Sequence, residues 1–190
     1  MKKDILEKIE DADLILVGIG SEFEKEKMQC SDKAIKALER LCGILTGKNY
    51  FMLTTCTNNI LMETGFAEER VGSPCGNLNW KQCTHGCEES LYPLTAEDKI
   101  LIKDFRNLQE MPELGKCPVC GKELVVNNVY AEKYNENGYL EDWKRYTKWL
   151  QGTLNKKLCI FATAPSMAGF ASYSSPIVKD GFKSSYPAKS

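Results

Sequence analysis

The segment PCGNLNWKQCTHGC, residues 74–87, brings Cys75, Cys83, Cys87 and the only histidine of the chain, His85, into one short stretch. Thiolates bind soft metals and attack electrophiles, and imidazoles bind metals and move protons. These residue types therefore fit both metal holding and catalysis. Spacing separates the two jobs. Cys83-x3-Cys87 is matched further on by Cys117-x2-Cys120, and a pair at such spacing lets a tight turn aim two thiolates at one ion. Gly86, Pro118 and Gly121 supply the turn chemistry. Two pairs complete the four-thiolate tetrahedral set of a structural zinc site, which leaves no coordination position open for catalysis. Zinc on Cys83, Cys87, Cys117 and Cys120 is the expectation. Four small buried hydrophobes would be the plainer alternative, but it does not account for turn residues at both pairs. His85 could replace a cysteine; with four thiolates at hand it reads as an exposed knuckle residue. Cys75 is left over.

A second group lies near the N-terminus. The apolar run LILV at 14–17 leads into Gly18-Ile19-Gly20-Ser21. A strand that ends in glycines can bring backbone amides close to a diphosphate, although G-x-G alone describes a tight strand-to-loop turn equally well. A second run, YFMLTT at 50–55, leads into Cys56, Thr57 and Asn58.

The elements that must position these groups alternate between helix and strand. Ile5, Leu6 and Ile9 have helical spacing, as do Ile35, Leu38, Leu41, Cys42 and Leu45 after a candidate cap at Ser31. A short helix is expected across residues 60–62, stopping at Gly65, and a longer one from 139 carrying Leu140, Trp143, Tyr146, Trp149 and Leu150. The aromatic residues of the latter read as core packing, and Cys30, Cys42 and Cys159 as small hydrophobes. The runs at 14–17, 50–55 and 158–164 are continuous rather than alternating, the pattern of parallel strands covered on both faces. Between 71 and 130 apolar runs shorten and Gly and Pro cluster, with a helix-like stretch at 97–109. The expected fold is α/β: one domain over 1–190, a Rossmann-like parallel sheet with a four-cysteine zinc module inserted at about 72–130 and an irregular tail at 165–190.

Composition narrows the function classes. Lys plus Arg number 25 against 26 Asp plus Glu, so no basic surface for nucleic acid is expected. No apolar stretch reaches the roughly 20 residues that span a bilayer, and no signal-peptide pattern opens the chain. A soluble, cytoplasmic protein without membrane or nucleic-acid partners is expected. In a reducing compartment the nine cysteines point to metal binding or reactivity rather than disulfides.

The order of a strand into GIGS, a strand into LTTCTNN, then PCGN, two cysteine pairs and a further strand resembles the sirtuin family, NAD-dependent protein deacylases and ADP-ribosyltransferases. It is most similar to divergent bacterial members. The resemblance runs over about residues 8–164 and implies NAD and zinc as cofactors. By resemblance, Gly18 and Gly20 match the glycines of a GAG-type pyrophosphate loop, which extends over Ile19 and Ser21. LTTCTNNILMETGF matches a TQNVD-type segment at the nicotinamide ribose, placing Thr55, Cys56 and Asn58 at the cofactor. Cys56 stands at that Asn and Asn58 at that Asp. Cys75-Gly76 falls on the family's His-Gly pair, whose histidine is the general base, so Cys75 and Asn58 are the candidate catalytic residues. No arginine follows Phe23, where the family has one, and DFR at 104–106 lies between the cysteine pairs.

These replacements shift the expected chemistry from ordinary deacetylation to ADP-ribosyl transfer or NAD cleavage. Two alternatives stand beside it: a non-catalytic sensor of NAD or ADP-ribose, and a structural zinc domain. The implied partners are NAD or ADP-ribose and an acylated or ADP-ribosylated protein.

Overall fold

The computed structural model describes residues 3–20, 23, 32–103 and 112–163. Expectations that fall elsewhere, namely Ser21, the cap at Ser31, Cys30, the segment 104–106 and the tail at 165–190, lie outside the described residues.

Four strands form a parallel sheet in the order β3-β2-β1-β7: β1 (Leu14–Ile19), β2 (Tyr50–Thr54), β3 (Val71–Gly72) and β7 (Leu158–Ala162). The central strand β1 is buried along its whole length, which is why its sequence does not alternate. Its side chains divide between two cores. Ile15, Val17 and Ile19, with Tyr50 and Met52 of β2, pack against Ile9 of α1 (Lys3–Asp11) and Leu38, Leu41 and Leu45 of α2 (Asp32–Leu45). Leu16, Phe51 and Leu53 face the opposite way, onto Tyr146, Trp143 and Trp149 of α5 (Leu140–Gln151). Phe51 lies 5.4 Å from Tyr146 and 5.8 Å from Trp149 between ring centroids, so the aromatic stripe on α5 is core. Cys42 and Cys159 are half-buried against the α1/α2 core. No helix among the described residues is long and apolar enough to cross a membrane.

A second, antiparallel sheet of order β5-β4-β6 is built from β4 (Gly76–Cys83), β5 (Tyr92–Pro93) and β6 (Leu124–Asn128). Its small core joins Leu94, Leu114, Leu124 and Val126 to Ile102 of α4 (Ala96–Lys103) and to Cys83 and Cys117. Thr95 opens α4 in a reciprocal cap. The Asp98 amide donates to Thr95 Oγ1 at 3.2 Å and the Thr95 amide to Asp98 Oδ2 at 2.9 Å. Asp98 also takes the Lys81 ammonium at 2.7 Å, with both side chains largely buried, which ties α4 to β4.

Candidate metal centre and strand-end site

The four cysteines expected to share an ion converge. Their sulfur atoms all lie within 4.8 Å of one another, with Cys83–Cys120 at 3.5 Å, Cys87–Cys117 at 3.6 Å and Cys83–Cys87 at 3.7 Å. A zinc–sulfur bond of about 2.3 Å in a tetrahedron sets sulfurs about 3.8 Å apart, so the cage fits zinc. Two backbone conformations close it: Gly86 and Gly121 both have positive φ, 61° and 72°, which glycine adopts without strain. Burial raises the Cys83 thiol, yet the N–H groups of Cys87 and His85 and the Cys120 thiol bring it down to about 7. His85 is exposed and lies outside the four-sulfur cluster.

The parallel strands β1, β2 and β7 finish side by side. The Thr55 amide donates to the Ile19 carbonyl at 3.0 Å. Thr163, just past β7, donates its amide to the Gly18 carbonyl at 2.9 Å, and its Oγ1 accepts the Gly20 amide at 3.1 Å. The buried Cys56 sulfur donates to the Gly20 carbonyl at 3.3 Å. Gly18, Ile19, Gly20, Thr55, Cys56 and Asn58 are therefore gathered on adjacent strand ends, the place where ligands bind open parallel sheets. Thr163 is a member that sequence reasoning missed. The signal available was a threonine directly after the LCIFA strand.

Two polar groups here have no hydrogen-bond partner, Asn58 Nδ2 and Thr55 Oγ1. Asn58 is buried and its Oδ1 accepts the Ile60 amide at 3.4 Å, opening α3 (Ile60–Glu63), so only its NH2 group remains to meet a ligand. Buried polar atoms left unmet call for a water or a ligand group. The Gly20 amide is already taken by Thr163, so a diphosphate bound against that amide would compete with the threonine.

Cys75 sits half-buried between β3 and β4. Its carbonyl accepts the Val129 amide at 3.0 Å, and the preceding Pro74 carbonyl accepts the Tyr134 hydroxyl at 3.1 Å. Burial first, then the charges of Cys75, Tyr139, Glu136 and Asp142, push the Tyr134 phenol up, so it stays a neutral donor. Asn59 links this strand to the loop that carries Asn58. Its Oδ1 accepts the Leu78 amide at 3.2 Å and its Nδ2 donates to Asn79 Oδ1 at 3.4 Å.

A cavity of about 580 Å³ lies elsewhere, between the 3-10 turn Glu68–Arg70, β4 and α5. It is lined by carboxylates including Glu68, Glu89 and Asp142, beside Trp80 and Arg145, and by none of the strand-end residues. Burial, followed by the Glu68 charge, raises Asp142 to about 6 against the opposing pull of Arg145.

No protein-family model matches the chain, and no curated protein does. Solved structures do. A structure of a Sir2 mutant with a p53 peptide and NAD superposes with TM-score 0.52 at 14% identity, covering 86% of this chain and 76% of that one. A structure from a study of sirtuin substrate affinity gives 0.52 at 13%, covering 92% and 83%. Sir2Tm bound to a propionylated peptide gives 0.51 at 13%, covering 86% and 76%. At such identities the likeness concerns the fold, which is sirtuin-like.

Proposed function

We propose that this chain is an NAD-dependent protein of sirtuin type with altered chemistry, cleaving NAD or transferring its ADP-ribosyl group rather than performing ordinary deacetylation. An acylated or ADP-ribosylated protein would be its partner. The observation that carries the reading is the convergence of Gly18, Gly20, Cys56 and Asn58 on neighbouring strand ends of a sirtuin-like sheet, with the Asn58 amide buried and unmet. Four cysteines, Cys83, Cys87, Cys117 and Cys120, would hold a structural zinc.

When bound, NAD would supply the ADP-ribosyl group. The chain's own residues would do the rest. Gly18 and Gly20 would let the backbone approach the diphosphate, and Ile19, Thr55 and Cys56 would line the cofactor beside them. Ser21 would extend the same loop. The Asn58 NH2 would hold a ribose hydroxyl or the nicotinamide carbonyl as a donor, and never act as a base. Cys75 takes the position of a base and would accept a proton only as a thiolate, whose reference pKa is about 8.5.

A sensor without turnover is the second reading. It is favoured by Asn58, whose buried amide can hold a ligand but cannot take up a proton. Nicotinamide release measured against pH, for wild type and Cys75→Ser, separates the readings. Turnover that rises through thiol titration and falls in the variant supports a catalytic thiol. Release from neither protein, with NAD still bound, supports the sensor.

A further inference from the structure

The antiparallel sheet borders the cavity of about 580 Å³ where its pairing breaks. Along β4 the register with β6 shifts between Gly76 and Lys81. Such an irregularity re-aims the side chains within it, here Asn77 and Asn79, which both line the cavity. Asn77 is 6% exposed. Its Oδ1 accepts the Asn79 amide at 2.9 Å, which fixes the orientation of the carboxamide. Its NH2 group is left without a partner among the described residues. Asn79 has no such vacancy, for its Nδ2 donates to Glu68 Oε1 at 3.1 Å and its Oδ1 accepts Asn59 Nδ2 at 3.4 Å. A nearly buried donor on a cavity wall calls for an acceptor oxygen in the cavity.

The charge of the lining is unbalanced. Asp142 pairs with Arg145 at 2.6 Å and Glu141 with Lys144 at 2.5 Å. Glu68, Glu69 and Glu89 also line the cavity and form no ion pair among the described residues, and Arg145 is the one basic residue of the described lining. Burial raises the Asp142 carboxyl, Arg145 lowers it and the Glu68 charge raises it again, so a single guanidinium does not neutralise this wall. A cation entering beside Glu68 would relieve the repulsion. Trp80 and Leu91 add apolar surface, against which the stem of a long basic side chain can lie.

We propose that this cavity is a second binding site, separate from the strand ends, for a basic residue of a peptide chain. The ammonium or guanidinium of that residue sits among Glu68, Glu69 and Glu89, and its backbone carbonyl accepts from the Asn77 NH2. A free basic amino acid shares the cation but brings its own carboxylate, which the acidic lining repels. The chemistry is selective in two ways. A neutral side chain leaves the carboxylates uncompensated, and a cation without a carbonyl leaves the Asn77 donor unpaired. Neither Gly18, Gly20, Cys56 and Asn58 nor Cys75 lines the cavity, so the site stands whether or not NAD binds elsewhere.

The test is calorimetric titration of the zinc-loaded full chain with acetyl-arginine amide. Acetyl-citrulline amide serves as the neutral isostere, spermidine as a cation without a carbonyl, and free arginine as the unblocked amino acid. Acetyl-arginine amide is expected to bind best of the four and to weaken with added salt. The double variant Glu69→Gln, Glu89→Gln changes two exposed side chains and should lower that affinity on the order of fivefold while staying folded. Asn77→Ala should lower it on the order of tenfold. NAD titration should give the wild-type result in every variant. No heat from acetyl-arginine amide at millimolar concentration overturns the proposal, and so does equal affinity for the citrulline compound. Tighter binding of spermidine or free arginine identifies a free amine as the ligand and overturns the peptide assignment. Unchanged affinity in the double variant overturns it as well. Asn77→Ala that melts lower yet keeps its affinity identifies a structural, water-bound amide and does the same. Should Asn77→Ala fail to fold, the double variant and the citrulline comparison decide.

Discussion

The Cys56 thiol donates to the Gly20 carbonyl across 3.3 Å, joining the loop after β2 to the loop after β1. The Cys56 amide is itself held by Thr54 Oγ1 at 3.0 Å, so the sulfur approaches the glycine from an anchored backbone. Cys56 is fully buried, and its thiol acts as a structural tie rather than an exposed redox group. Cys56→Ala removes one buried hydrogen bond and should cost about 1 kcal/mol of stability. It should also weaken NAD binding by freeing the Gly20 loop, whereas Cys56→Ser keeps a donor and should stay close to wild type. Melting curves and NAD calorimetry on both variants check this. Equal NAD affinity in wild type and Cys56→Ala would mean that the tie does not position the loop.

Freshly purified protein is expected to carry about one equivalent of zinc. Because metal binding supplies folding free energy, chelation or Cys117→Ser should unfold the segment around the buried Cys83, Leu124 and Val126 while the parallel sheet persists. Elemental analysis and hydrogen exchange report the two parts separately. Clearly less than one equivalent, or full protection of β6 after chelation, would contradict the metal assignment.

The raised carboxyl of Asp142 gives a stability effect of definite sign. Its folded value of about 6 exceeds the ordinary 3.8, so between these values the folded state binds more protons than the unfolded one. Stability from this group is then present at low pH and lost as pH rises through about 6. The groups responsible are burial and Glu68, opposed by Arg145 and the Ser73 amide. Asp142→Asn should therefore melt above wild type at pH 7.5, with the difference shrinking toward pH 4. A variant less stable than wild type at pH 7.5 would show that the ion pair with Arg145 outweighs the burial cost.

Legibility in the sequence followed how local each signal was. The β1 run LILV and the α2 face of Leu38, Leu41 and Leu45 declare themselves, because burial on both sides of a strand and on one side of a helix leaves distinct periods. The cysteine cage was legible from spacing and turn residues alone. The antiparallel sheet was not. β4 reads GNLNWKQC and β6 reads LVVNN, and their buried Gln82 and Asn127 are satisfied by each other and by the Lys133 and Asn135 carbonyls, partners outside their own strands. The NH2 of Asn58 and Nδ2 of Asn128 were likewise invisible as unmet donors, since that property exists only once the chain surrounds them. Gly76 shows the same limit. Its positive φ and its contact with β6 come from the pairing of two strands, and nothing adjacent to it in sequence announces them.

NAD is expected to bind where β1 and β2 end, and calorimetric titration of NAD into the zinc-loaded chain, beside Gly20→Val, reads that binding. A Cβ with two methyl groups at Gly20 would obstruct close approach of the backbone to a diphosphate. Saturable heat is expected for wild type and none for Gly20→Val, with the variant still folded by circular dichroism. No heat from wild type at millimolar NAD, or equal affinity in the two proteins, would contradict it.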